Sequence, residues 1–153
     1  MNFGNNTASP IHPMIELILH LTGDYLTQSD WMAQNKTKST WAAFCHATVY
    51  SLPFLLIGSL SACLVIWSTH LLIDRFRLAR YVVWAKNFLA PRWIGYVESE
   101  TDHHPVFVRN HPWHICQGTG YHRSTEPWLA VWLMIAADNT LHLAINHLAL
   151  LYL

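Results

Sequence analysis

FLLIGSLSACLVIWSTHLLI, residues 54–73, runs without a charge and meets Asp74 and Arg75 only at its end. At about 1.5 Å of rise per residue it covers the roughly 30 Å hydrocarbon layer of a bilayer, so it predicts a transmembrane helix. His70 stands four positions before Asp74, and residues at that spacing share one helix face. The segment therefore carries an imidazole and a carboxylate to the same spot.

The pairing recurs outward in both directions. His20 precedes Asp24, and Asp138 precedes His142, each four residues apart in or beside an apolar stretch. Residues 128–153 are as long and apolar as 54–73 apart from Asp138, Asn139, His142, Asn146 and His147, and Pro127 stands where a first-turn proline would start a helix. Residues 13–28 and 39–52 are weaker spans, the first carrying Glu16, His20 and Asp24, the second His46 and ending at Pro53. The fold class expected is all-α: a small integral membrane bundle of about four helices, one domain over residues 1–153, with a cytoplasmic loop insertion at 94–126.

Composition agrees. Hydrophobic residues are 52% of the 153 and charged residues 12%, about half the share in ordinary soluble domains. Eight Trp and six Tyr suit a membrane interface. A formal net charge of zero gives no reason to expect nucleic acid as a partner. The first ten residues, MNFGNNTASP, are polar and uncharged, which does not read as a cleavable signal peptide. Lys36 and Lys38, then Arg75, Arg77, Arg80, Lys86 and Arg92, fall on one side if residues 39–52 and 54–73 form a hairpin, and the positive-inside rule makes that side cytoplasmic. The location expected is a multi-pass protein of the inner membrane.

That topology places His20, Asp24, His46, His70 and Asp74 at one level, with Asp138 and His142 somewhat deeper. A lone membrane histidine often serves helix packing, and His147, five residues after His142, faces elsewhere. The set is harder to explain that way, because ionisable groups within a membrane are costly and mark function. Imidazole with carboxylate is the ligand chemistry of zinc, iron or manganese. The metal ligands expected are His20, Asp24, His46, His70, Asp74, Asp138 and His142, around a divalent ion, zinc first.

HLTGDYLTQSDWMAQNK, AFCHATVY, THLLIDRFRLARYVVWAKN and AVWLMIAADNTLHLAINHLAL together resemble the membrane-protein family called domain of unknown function 3307, found in bacteria and their phages. The resemblance runs over residues 17–152 and carries over those same seven positions. It implies a family and no activity. More distantly, the His and Asp pairs are similar to those of small membrane-bound metal-dependent hydrolases.

Residues 94–126 depart from the shorter family pattern. They hold Glu98, Glu100, Asp102, His103, His104, His111, His114, Cys116 and His122 among turn-forming Pro and Gly, and read as a polar extramembrane loop rather than a second metal site. Residues 77–93 read as an amphipathic helix on the anionic leaflet, or as a continuation of the helix before it. Cys45, Cys63 and Cys116 imply no disulfide framework, and Cys45 diverges by about 100° from His46 on a helix, which leaves it out of the site.

Two functions fit. One is a metal-dependent hydrolase in which Asp24, Asp74 and Asp138 share the work of oxygen ligand, orienting group and general base on a lipid-linked or membrane-apposed substrate. The other is a non-enzymatic phage or bacterial membrane protein that uses the cluster for structure, for ion or proton passage, or for partner binding.

Overall fold

The computed structural model describes residues 13–89 and 112–153, with the backbone alone of 93–96 and 105–108. In chain order it has α1 (Pro13–Leu21), a π-helical turn (Thr22–Leu26), α2 (Asp30–Asn35), α3 (Thr40–Ser51), a 3-10 turn (Leu52–Leu56), α4 (Leu60–Phe76) and α5 (Ala79–Leu89). The strands β1 (Trp93–Tyr96) and β2 (Pro105–Val108) follow, then α6 (Trp113–Cys116) and α7 (Pro127–Tyr152). The helical expectation holds, with this hairpin as the exception. Its strands pair antiparallel with Trp93 opposite Val108 and Tyr96 opposite Pro105, within the region read as loop. Two compact units result, residues 1–77 with 140–153, and residues 78–139.

Serine starts three of the first unit's helices. Ser29, Ser39 and Ser59 each sit in extended backbone and accept a hydrogen bond from the N–H three residues on, satisfying a donor that the first turn leaves open. The Ser59 cap is where the structure departs from the twenty-residue span. Pro53 lies in the first turn of the 3-10 segment, the Gly58 N–H closes on the Phe54 carbonyl at 2.9 Å, and α4 begins only at Leu60. The apolar run 54–73 is therefore two elements, and α4 has 17 residues. It stops at Arg77, which takes a left-handed conformation (φ 52°, ψ 49°), so α5 is a separate helix and not a continuation. Among the described residues α7, with 26, is the one helix long and apolar enough to cross a membrane.

α3 packs on α4, on α2 and on the π-helical turn. Ala42, Ala43 and Ala47 of α3 and Ala62 of α4 are fully buried. Tyr50 and Phe54 join Ala62, Cys63, Ile66, Ala149 and Leu150 in the apolar core. Beside it lies a second, polar interior. Nine buried side chains of this unit are polar or charged: Glu16, His20, Asp24, His46, Ser51, His70, Asp74, His142 and Asn146. Met14, Ile18, Leu60, Leu64, Leu148 and Leu151 are exposed on its outside.

In the second unit Tyr81 stacks on Trp113 at 4.5 Å, and Ala79, Val83 and Cys116 are buried. Gly120 has φ 83° and an added Cβ would stand 2.3 Å from the Arg80 carbonyl, so both backbone and space require glycine there. α5 shows Tyr81, Val82, Phe88 and Leu89 to the outside, in keeping with the amphipathic reading of 77–93.

Candidate metal centre

α1 and the π-helical turn deliver Glu16, His20 and Asp24, α3 delivers His46 and Tyr50, α4 delivers His70 and Asp74, and α7 delivers His142 and Asn146. Each set repeats at four residues, the interval that keeps side chains on one helix face. Gly23 makes the first set reach: an added Cβ would lie 2.4 Å from Cδ2 of Tyr50, so only a bare backbone lets the turn close on that ring and carry Asp24 inward.

His46 Nε2 and His70 Nε2 stand 3.0 Å apart. Asp24 Oδ1 lies 3.2 Å from the first and 3.5 Å from the second. Asp74 Oδ2 lies 3.2 Å from both. Two triangles of donor atoms thus share the His46–His70 edge, and His142 Nε2 approaches the other Asp74 oxygen at 3.6 Å. Two triads satisfy metal-ligand spacing, Asp24 with His46 and His70, and His70 with Asp74 and His142, all buried.

The two imidazoles meet at hydrogen-bond geometry, whereas the carboxylate oxygens approach them at ion-pair distance only. Asp24 Oδ1 and Asp74 Oδ2 are buried and accept no hydrogen bond from the described residues. Such crowding of acceptors is expensive unless a cation lies between them. Ligands held about 2.0–2.1 Å from a central ion are separated by about 2.9 Å in an octahedral shell and about 3.3 Å in a tetrahedral one, the range seen here. The donor set fits a divalent ion.

The remaining members hold or neutralise this cluster. Tyr50 lies flat on His70, rings 3.6 Å apart and 19° from parallel. Asn146 Nδ2 donates to the Tyr50 hydroxyl at 2.6 Å, and His20 Nδ1 meets that hydroxyl at 2.8 Å. His20 is 3.6 Å from Asp24 Oδ2 and belongs to neither triad. Lys36, at the C-terminal cap of α2, places its ammonium 3.0 Å from Asp74 Oδ2 and 3.3 Å from His46 Nε2, with only 18% of its side chain exposed.

Of the seven expected ligands, Asp24, His46, His70, Asp74 and His142 come together. Asp138 is half-buried in the part of α7 that belongs to the second unit and is in neither triad. His147 contacts the Glu16 carboxylate at 3.1 and 3.2 Å, away from the triads, as its spacing indicated. Cys45 is outside both triads as well. His103, His104 and His111 lie outside the described residues, and among those described no metal-capable group includes His114, Cys116 or His122. Sequence reasoning missed Lys36, Tyr50 and Asn146. The last two could have been found by extending each series one more turn, from His46 to Tyr50 and from His142 to Asn146.

A family model described as Protein of unknown function (DUF3307) matches residues 14–116. The match includes His20, Asp24, Lys36, His46, His70 and Asp74, and it takes in the residues from 94 to 116 that were expected to depart from the pattern; His142 lies past its end. No curated protein and no solved structure matches the chain. With two thirds of its length matched, the chain belongs to the DUF3307 family.

Proposed function

We propose that this protein is a membrane-embedded, metal-dependent hydrolase acting on a lipid-linked or membrane-apposed substrate at the cytoplasmic face of the inner membrane. The observation that carries the reading is the convergence of Asp24, His46, His70 and Asp74 ligand atoms at 3.0–3.5 Å, with Asp24 Oδ1 and Asp74 Oδ2 buried and accepting no hydrogen bond from the described residues. Nitrogen and carboxylate donors in a buried, compact set favour zinc among the common divalent ions. Such an ion lowers the pKa of bound water and polarises an ester or phosphoester. Asp24 and Asp74 combine the tasks of ligand and general base.

The bilayer part of the reading draws on the many exposed large apolar side chains around an interior that buries ionisable groups, and on the 26-residue α7. Lipid accommodates both at once, since tails solvate exposed leucine and tryptophan while ionisable groups face the interior.

Lys36 supports a second reading. Its ammonium against Asp74 gives the cluster a cation of its own, as a polar network for ion or proton passage or partner binding would need. Elemental analysis of the full chain purified in mild detergent separates the two. The hydrolase reading expects one or two ions per chain, lost with His70→Ala. It also expects Asp24→Asn and Asp74→Asn proteins that fold and yet lose turnover of ester or phosphoester substrates. A wild-type ratio near zero would overturn it in favour of the network.

A further inference from the structure

We propose that Lys36 is an anion-binding residue of this centre and that the substrate is phosphorylated, its phosphoryl oxygens shared between the bound divalent ion and the Lys36 ammonium. The inference rests on the metal-centre reading above and names its substrate class.

Lys36 Nζ touches two atoms the ion would use, Asp74 Oδ2 at 3.0 Å and His46 Nε2 at 3.3 Å. An ammonium and a dication repel each other at such range, so metal loading drives the amine off those atoms. It has somewhere to go, because 18% of the side chain is already exposed and the four-carbon stem is flexible. It cannot go far. The Lys36 N–H is fixed to the Met32 carbonyl, and Arg75 braces the following loop, donating to the Thr37 carbonyl at 2.9 Å and to Thr40 Oγ1 at 3.2 Å. The displaced ammonium therefore stays at the rim of the cluster.

Charge decides what it meets there. One dication and one ammonium against the carboxylates of Asp24 and Asp74 leave the loaded cluster with a net positive charge, in a site that excludes most water. Two cations of that kind side by side suit a phosphoryl group, whose several oxygens can take one each, and lysine serves phosphate as a compact point charge. The apo protein is different: there the ammonium is a built-in competitor for the metal.

The test uses full chains in detergent: wild type, Lys36→Met and Lys36→Arg, each loaded with zinc, its ions counted, and its thermal melt recorded. Calorimetry then follows binding of inorganic phosphate and, separately, of a short-chain phosphatidic acid. Lys36→Met is expected to bind zinc at least as tightly as wild type and phosphate about tenfold more weakly, while Lys36→Arg stays close to wild type. Binding of inorganic phosphate identifies the phosphoryl group alone as sufficient; binding of phosphatidic acid only assigns the site to a lipid headgroup, and both support the proposal. Equal phosphate affinity in wild type and Lys36→Met, or a zinc-loaded wild type that takes neither ligand, overturns it while leaving the metal reading intact. A wild type without ions overturns both, at the counting step. Should Lys36→Met lose its fold, Lys36→Gln carries the same comparison.

Discussion

Gly23→Ala puts the geometry of the cluster to a test in which two local effects oppose each other. In a helical turn alanine is favoured over glycine by about 0.5–1 kcal/mol through its smaller loss of backbone entropy. The new methyl, however, would stand 2.4 Å from Cδ2, 3.0 Å from Cε2 and 3.2 Å from Cγ of Tyr50. Carbon atoms rest about 3.5–4.0 Å apart, so the ring has to withdraw by about 1 Å. It has little room: Tyr50 is fully buried, stacked on His70 at 3.6 Å, beside Phe54 at 5.5 Å, and held at its hydroxyl by Asn146. Overpacking costs about 1–3 kcal/mol, and against so confined a ring the upper half of that range applies, leaving a net loss of about 1–2.5 kcal/mol, or a fall in melting temperature of roughly 2–10 °C for a chain of this length. Because the displaced ring pushes on His70, zinc affinity should fall about tenfold with it. Thermal melts in one detergent, with and without zinc, read both quantities. The same substitution placed in a Tyr50→Leu background should be harmless or stabilising, since the ring it strikes is gone. A Gly23→Ala protein that melts at or above wild type and keeps its zinc affinity would refute the claim that this close approach positions the site.

Tyr50→Phe removes one oxygen and strands two partners, Asn146 at 2.6 Å and His20 at 2.8 Å, both buried; a loss of about 2–3 kcal/mol is expected in the melt with the ion count unchanged, and a change in ion count without a change in melting would show the hydroxyl to be part of the ligand set instead. Chelation should destabilise the wild type. Zinc at a hundred times its dissociation constant contributes about 2.7 kcal/mol, so its removal lowers the melting temperature by roughly 5–10 °C, whereas identical melts with and without chelator would mean that no ion supports the fold.

What the sequence made legible was whatever a single helix encodes. The interval of four residues put His70 beside Asp74 and His20 beside Asp24, and both carboxylates do arrive at the cluster. Pro127 marked the start of α7 because a first-turn proline acts within a few residues of backbone. The sequence was silent where neighbours decide. The run 54–73 has the composition of a single span, yet Pro53 and Gly58 allow a 3-10 turn whose backbone closes on itself, and the choice between the two depends on what packs around it. His20 shares a face with Asp24, but its ring is claimed by Tyr50 from another helix, a contact thirty residues away in sequence. Lys36 counted in the sequence only as topogenic charge. That its ammonium enters the cluster follows from the fold of α2 against α3, which no periodicity encodes.

The alanines of α3 have a consequence for ion choice. Ala42, Ala43 and Ala47 present methyl groups where longer side chains would act as spacers, and α3 bears on three elements at once. Close packing through methyl groups leaves those elements little slack, and close-packed interiors resist widening. An ion of large radius would have to prise several helices apart together. A preference for small ions would then come from the stiffness of the packing around the ligands as much as from the ligands themselves.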